Sequence, residues 1–146
     1  MIGIVIATHG KMAEGIADTV SMIIGKQSQF IAVGIQEEET VECFSHRLNL
    51  AINKVNSGKG VIVFTDLFGA TPTNVSGNFI YKSNIELVTG VNLPMILETC
   101  LVRTQKGITL NEVAKVAFKN GQSGIKNVKE QLMSVVDKES GKSISD

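Results

Sequence analysis

Four short runs rich in β-branched and apolar residues, Ile2–Ala7, Phe30–Ile35, Gly60–Thr65 and Ile85–Thr89, alternate with longer segments whose apolar residues recur at helical spacing. A strand that returns parallel to its neighbour needs a crossover of a dozen or more residues, and a helix supplies it, so this alternation reads as βαβ units. The predicted fold class is α/β: a doubly wound open sheet of four parallel strands with helices on both faces. The first run, Ile2-Gly3-Ile4-Val5-Ile6-Ala7, has no polar alternation, as suits a central strand covered on both faces. The chain then turns at Thr8-His9-Gly10.

The helical segments carry their own punctuation. Met12, Ile16, Val20 and Ile23 mark a helix from Lys11 to Ile24, closed by Gly25,. Val41, Phe44, Leu48, Ile52 and Val55 mark a second, with Glu37, Glu38 and Glu39 at its positive end,. Thr71 reads as the N-cap of a third helix, with Pro72 at N1. A fourth helix follows Pro94 to about Arg103, and Thr109 with Glu112 forms a capping box for a fifth that stops near Gly121,. Beyond it, Ile125, Val128, Leu132 and Val135 repeat at helical spacing, and Lys138 to Asp146 read as a polar, frayed terminus,.

At 146 residues, 43% hydrophobic and 19% charged, the chain has the material for one core,. Its 14 basic and 14 acidic side chains cancel, so the clustered positive charge that nucleic acid requires is missing. No apolar run approaches the roughly 20 residues of a membrane span, and no basic leader precedes the first strand, which points to the cytoplasm. Cys43 and Cys100 lack CxxC spacing and read as small buried hydrophobes. With two histidines and two scattered cysteines, no metal site or cofactor is expected. Neither a GxxxxGK[ST] loop nor a GxGxxG fingerprint is present,.

Chemistry in an open α/β sheet collects at the carboxyl ends of the strands, where strand order reverses. His9 follows the first strand and Asp66 follows the third. A lone histidine there is most often structural or solvated, and a lone aspartate most often caps its turn. Brought together on adjacent strands they do more: the carboxylate fixes one ring nitrogen as a donor and leaves the other as a nucleophile or base. With Gly10, Gly69 and two helix starts nearby, unpaired backbone N–H groups can receive an anion, and a phosphoryl group fits. His46, on the face of the second helix opposite its apolar stripe, reads as a solvated residue with Glu42 one turn earlier,.

Three stretches, Ile4-Val5-Ile6-Ala7-Thr8-His9-Gly10, Asp66-Leu67-Phe68-Gly69-Ala70-Thr71-Pro72-Thr73-Asn74 and Thr89-Gly90-Val91-Asn92-Leu93-Pro94-Met95, occur in the order and at the separations of a known family. Over residues 1–130 the chain resembles the IIA component of the mannose family of the bacterial phosphoenolpyruvate-dependent sugar phosphotransferase system. The resemblance implies that His9 takes a phosphoryl group from the phosphohistidine carrier protein and gives it to a IIB component, itself linked to a membrane IIC/IID transporter. It implies that Asp66 holds the imidazole, and that Gly10, Gly69, Ala70 and Thr71 surround the phosphoryl group. Thr stands at 71 where Ser is common, Phe68 where an aromatic is usual and Ala70 where Gly is frequent, which keeps the hydroxyl and the ring.

Met12, Leu67 and Phe68 would supply the apolar part of a docking surface. The resemblance also implies a homodimer in which Gly124–Lys129 is an exchanged antiparallel edge strand, against the helical spacing of that segment. The expected organisation is one IIA domain over 1–130, a separate subunit, with a partly helical or frayed tail over 131–146. Since a phosphohistidine must outlive its wait for a partner, the site should lack any residue that activates water, and no second carboxylate or histidine appears in the loops of His9 and Asp66. Three other readings use the same residues: a phosphoryl-donor subunit for a dihydroxyacetone kinase, a regulatory module switched by His9 phosphorylation, and a small-ligand-binding flavodoxin-like domain.

Overall fold

The structure is a computed structural model describing residues 1–82 and 84–142. The elements run β1 (Gly3–His9), α1 (Met12–Ile24), β2 (Phe30–Ile35), α2 (Val41–Val55), β3 (Val61–Thr65), α3 (Thr71–Gly77), β4 (Ile85–Thr89), α4 (Leu93–Val102), α5 (Leu110–Ser123) and α6 (Val128–Lys142). The sheet has order β2-β1-β3-β4 and every pairing is parallel. From β1 the chain moves to one edge and then, through β3, to the other, so strand order reverses between the carboxyl ends of β1 and β3.

Alternate residues of the central strands feed two separate cores. Ile4, Ile6, Ile62 and Phe64 pack with α1, α4 and α5 through Val20, Ile96, Val113 and Ala117. Val5, Ala7, Val61 and Val63 pack with α2 and α3 through Phe44, Leu48, Ile52 and Val75. Helices therefore cover both faces, and the apolar run of β1 is explained by burial on each side: Ile4, Val5, Ile6 and Ala7 are all 0% exposed. Each such isoleucine or valine contributes roughly 1.5–3 kcal/mol by leaving water.

Several local expectations change. β1 continues through His9, which pairs with Ile35, so the histidine ends a strand and does not begin a turn. Ala70, not Thr71, is the N-cap of α3, extended at φ −86° and ψ 170°, which moves Thr71 to N1 and Pro72 to N2. Thr40 caps α2 by accepting from the Cys43 amide, while Glu39 turns away to Arg47. Cys100 is buried but Cys43 is exposed. The capping box at Thr109 and Glu112 forms as its spacing requires.

Gly124–Lys129, expected from the resemblance as an antiparallel edge strand, instead closes α5 at Gly124 and enters α6 at Val128. Only Val128 and Lys129 of this segment are helical, and Gly124 to Asn127 form neither helix nor strand. Residues 124–136 are exposed throughout, with Ile125 78%, Val128 65%, Leu132 64% and Val135 53% open to solvent. The last part of the predicted frayed terminus, residues 143–146, lies outside the described residues. Among the described residues no helix is long and apolar enough to cross a membrane.

Candidate functional site

At the point where strand order reverses, His9 Nδ1 lies 2.8 Å from Asp66 Oδ2. The same carboxylate oxygen accepts the His9 backbone N–H at 2.8 Å, and Oδ1 accepts the Leu67 N–H at 2.8 Å. Burial pushes the Asp66 carboxyl pKa up, but the His9 amide, the His9 ring and the Leu67 amide outweigh it and hold it below the ordinary value. An ionised carboxylate can only accept, so the ring proton of neutral His9 sits on Nδ1 and Nε2 presents its lone pair. Nε2 has no hydrogen-bond partner among the described residues, and the side chain is 53% exposed.

The lowered carboxyl pKa makes stability depend on acid pH in a definite sense. The unfolded chain holds the Asp66 proton more tightly than the native chain, so this contribution is complete above the ordinary aspartate value of about 3.9 and is lost as pH falls through the lower native value. The wild-type advantage over Asp66→Asn in urea midpoint is therefore expected to shrink as pH drops below about 4. A difference that stays constant from neutral pH to that range would refute the assignment.

What holds His9 in place is partly hydroxyl chemistry absent from the sequence reading. Thr8, 0% exposed, accepts the Ala13 N–H at 2.8 Å, so the residue before the histidine satisfies an orphan donor at the start of α1,. The Gly10 N–H donates to Ile35 O at 2.8 Å, which closes the turn onto β2. Gly34 is required there, because a Cβ would stand 1.8 Å from the Gly10 carbonyl oxygen. Gly34→Ala must push the His9–Gly10 turn off the sheet edge. The expected cost is about 1–3 kcal/mol or more in urea denaturation, together with loss of the His9–Asp66 ring contact in 15N spectra.

A cleft of about 420 Å³ opens beside the pair and brings together His9, Gly10, Thr71, Ile35, Glu37 and Glu39. The loops after β1 and β3 carry no second carboxylate, but the β1–β2 pairing brings the loop after β2, with Glu37 and Glu39, alongside His9. Glu39 is held by Arg47 Nε and Nη2 at 2.7 Å each and accepts the Gln36 N–H at 3.0 Å. Chiefly through the bond to Arg47, its pKa is lowered, which makes it a poor base. Gly69 and Ala70 lie on the neighbouring loop outside this cleft; Gly69 takes φ +79°, and its carbonyl accepts from Asn74 at 2.9 Å. Met12 opens α1, Leu67 and Phe68 follow Asp66 in the chain, and the three are 45%, 63% and 83% exposed.

A larger cleft of about 700 Å³ lies at the amino ends of the strands among Ile2, Lys59, Arg103 and Ile108. It is at the end of the sheet opposite His9, where no strand reversal or reactive pair accompanies it. Among the described residues no cluster of three or more His, Cys, Asp or Glu side chains suited to a metal is present. His46 is exposed on α2.

Fold and site together define an open doubly wound α/β domain with a histidine and its orienting carboxylate at the switch point. The chain belongs to the PTS system fructose IIA component family (EIIA-man), whose model matches residues 3–118. It is 31% identical over 129 residues to the mannose-specific EIIAB component of the PTS system of Escherichia coli, covering 88% of this chain and 40% of the relative. The chain thus spans well under half the length of that relative. Among solved structures it is similar to the phosphotransferase system component EIIA of Streptococcus agalactiae, with a TM-score of 0.82 and 26% identity over 89% of this chain and 99% of the other. The PTS IIA protein associated with the fucose utilization operon of Streptococcus pneumoniae superposes with a TM-score of 0.78 and 32% identity, over 89% and 95% of the two chains.

Proposed function

We propose that this chain is a protein-histidine phosphotransferase of the sugar phosphotransferase system, acting in the cytoplasm. His9 takes a phosphoryl group from the phosphohistidine carrier protein and hands it to a IIB component, coupling sugar uptake through a IIC/IID transporter to sugar phosphorylation. The observation that carries this reading is the 2.8 Å contact between His9 Nδ1 and Asp66 at the reversal of strand order, with Nε2 left open.

The chemistry needs no proton to move. The Nε2 lone pair attacks phosphorus in line, the donor's P–N bond breaks, and the donor imidazole leaves with its electron pair. The His9 ring becomes positively charged while Nδ1–H still faces Asp66, whose carboxylate stabilises that charge. Transfer onward reverses these steps with a new nucleophile. Thr71 and the Gly69–Ala70 turn receive the phosphoryl oxygens, the Gly10 turn holds His9 in register, and Met12, Leu67 and Phe68 form the apolar rim on which partners dock. Glu39, neutralised by Arg47, does not activate water against the phosphohistidine.

The deciding experiment is intact mass after incubation with phosphoenolpyruvate, enzyme I and the phosphocarrier, for wild type and His9→Ala. One acid-labile phosphate on wild type and none on the variant is expected. An unmodified wild type alongside active upstream proteins would overturn the reading. The same preparation tests the proposed homodimer, whose second copy would cover the exposed Ile125, Val128, Leu132 and Val135. Leu132→Asp is expected to lower the mass measured by sedimentation equilibrium from two chains to one.

A further inference from the structure

The geometry points to Thr73 as a positioning residue for the reactive pair: its buried hydroxyl, supplied by Thr65, anchors the Leu67 carbonyl and so holds Asp66 against the His9 ring. This role rests on the reading of His9 as the phosphoryl acceptor. Thr65 is 0% exposed and Thr73 9%. Their hydroxyl oxygens are 2.8 Å apart, and Thr73 Oγ1 donates to Leu67 O at 2.7 Å. A hydroxyl has one proton. With that of Thr73 given to Leu67, the shared bond must be donated by Thr65, and the relay has one direction: Thr65 to Thr73 to Leu67.

The two ends of this relay bracket Asp66 in the chain. Thr65 immediately precedes it, and Leu67, which immediately follows, donates its own N–H to Asp66 Oδ1 at 2.8 Å. The other carboxylate oxygen is then aimed at the His9 amide and ring. Thr73 is not using its hydroxyl as helical threonines and serines usually do, on the carbonyl one turn back. Ser76, on the same helix, does so, donating to Pro72 O at 2.6 Å. Thr73 reaches out of α3 to a loop carbonyl six residues earlier. Packing alone would accept the isosteric valine, and burying a hydroxyl is unfavourable unless it is hydrogen-bonded.

The test compares Thr73→Val, Thr73→Ser and Thr65→Val with wild type by three measurements. These are 15N shifts of His9 in the unphosphorylated protein, single-turnover transfer from the phosphorylated carrier as a function of carrier concentration, and thermal melting. In Thr73→Val the ring is expected to lose its exclusive Nδ1–H form, and the maximal transfer rate to fall about tenfold or more at unchanged half-saturation. Thr73→Ser should restore both to within about twofold, because it returns the hydroxyl. A folded Thr73→Val with wild-type tautomer and rate overturns the role, as does a Thr73→Ser no better than valine. Should Thr73→Val not fold, Thr65→Val decides by the same readouts. A wild type that accepts no phosphate brings down the phosphoryl reading, while the tautomer measurement still judges the hold of Thr73 on the ring.

Discussion

Asp66→Asn is expected to leave the protein folded and to slow phosphoryl transfer to His9 by about 10²- to 10⁴-fold. The carboxylate accepts on both sides: Oδ1 takes the Leu67 N–H, and Oδ2 takes the His9 N–H and the ring Nδ1–H. An amide of the same shape has only one accepting atom. Turned one way, its NH₂ confronts two donors of His9 and drives the ring into the other tautomer, which removes the lone pair from Nε2. Turned the other way, it confronts the Leu67 N–H and displaces the loop. Either choice disarms the nucleophile or misplaces it, and neither supplies the negative charge that balances the imidazolium formed on transfer. Rapid-quench measurement with phosphorylated carrier reads the rate, and a change smaller than about threefold would show that the carboxylate has no part in the reaction.

The second large effect concerns stability. Arg103→Leu is expected to cost about 3–5 kcal/mol in urea denaturation. Arg103 is 2% exposed and has no carboxylate partner among the described residues. Its Nη1 donates to Ile2 O at 3.0 Å and Gln29 O at 3.1 Å, and Nη2 donates to Ser28 O at 2.8 Å. Burial holds its pKa below the usual value, yet an arginine remains charged at neutral pH, and these carbonyls are what it has in place of water. Gln29, at φ +48°, offers one carbonyl to both the Ile4 amide and this guanidinium. Leucine would take this donor away from the buried Ile2 contact and from the half-buried Gln29 and Ser28 carbonyls. Arg103→Lys should recover only part of the loss, because an ammonium cannot span three acceptors with the fork geometry. The site lies at the other end of the sheet, so the folded fraction of either variant should transfer phosphate at the wild-type rate.

Much of this was legible because the sheet's demands fall on consecutive residues. Unbroken apolar runs marked the inner strands β1 and β3, since burial on both faces leaves no polar position, and Gly25 and the Thr109–Glu112 box marked helix ends by local chemistry. His9 and Asp66 stood out because each stands just beyond such a run. What escaped was set by neighbours distant in sequence. Glu37 and Glu39 reach the cleft through pairing of His9 with Ile35, and nothing local to either loop encodes that. Thr8 and Thr73 look like ordinary strand and helix residues until their hydroxyl partners are seen across loops. Thr71 lost the capping position to Ala70 because the loop after Asp66 is closed by other bonds, from Thr73 to Leu67 and from Asn74 to Gly69. At Gly124–Lys129 no strand forms, and the helical spacing visible in the residues holds only from Val128 onward.

The placement of His9 as the final rung of an inner strand has a kinetic consequence. Its backbone is tethered to Ile35 on one side and to Asp66 on the other, so the ring cannot swing out to meet one visitor and then another. On the proposed reading, donor and acceptor come to the same mouth, over the same Met12, Leu67 and Phe68, one after the other. Turnover between them should therefore follow a double-displacement pattern, with parallel lines in double-reciprocal plots and each partner a competitive inhibitor of the other.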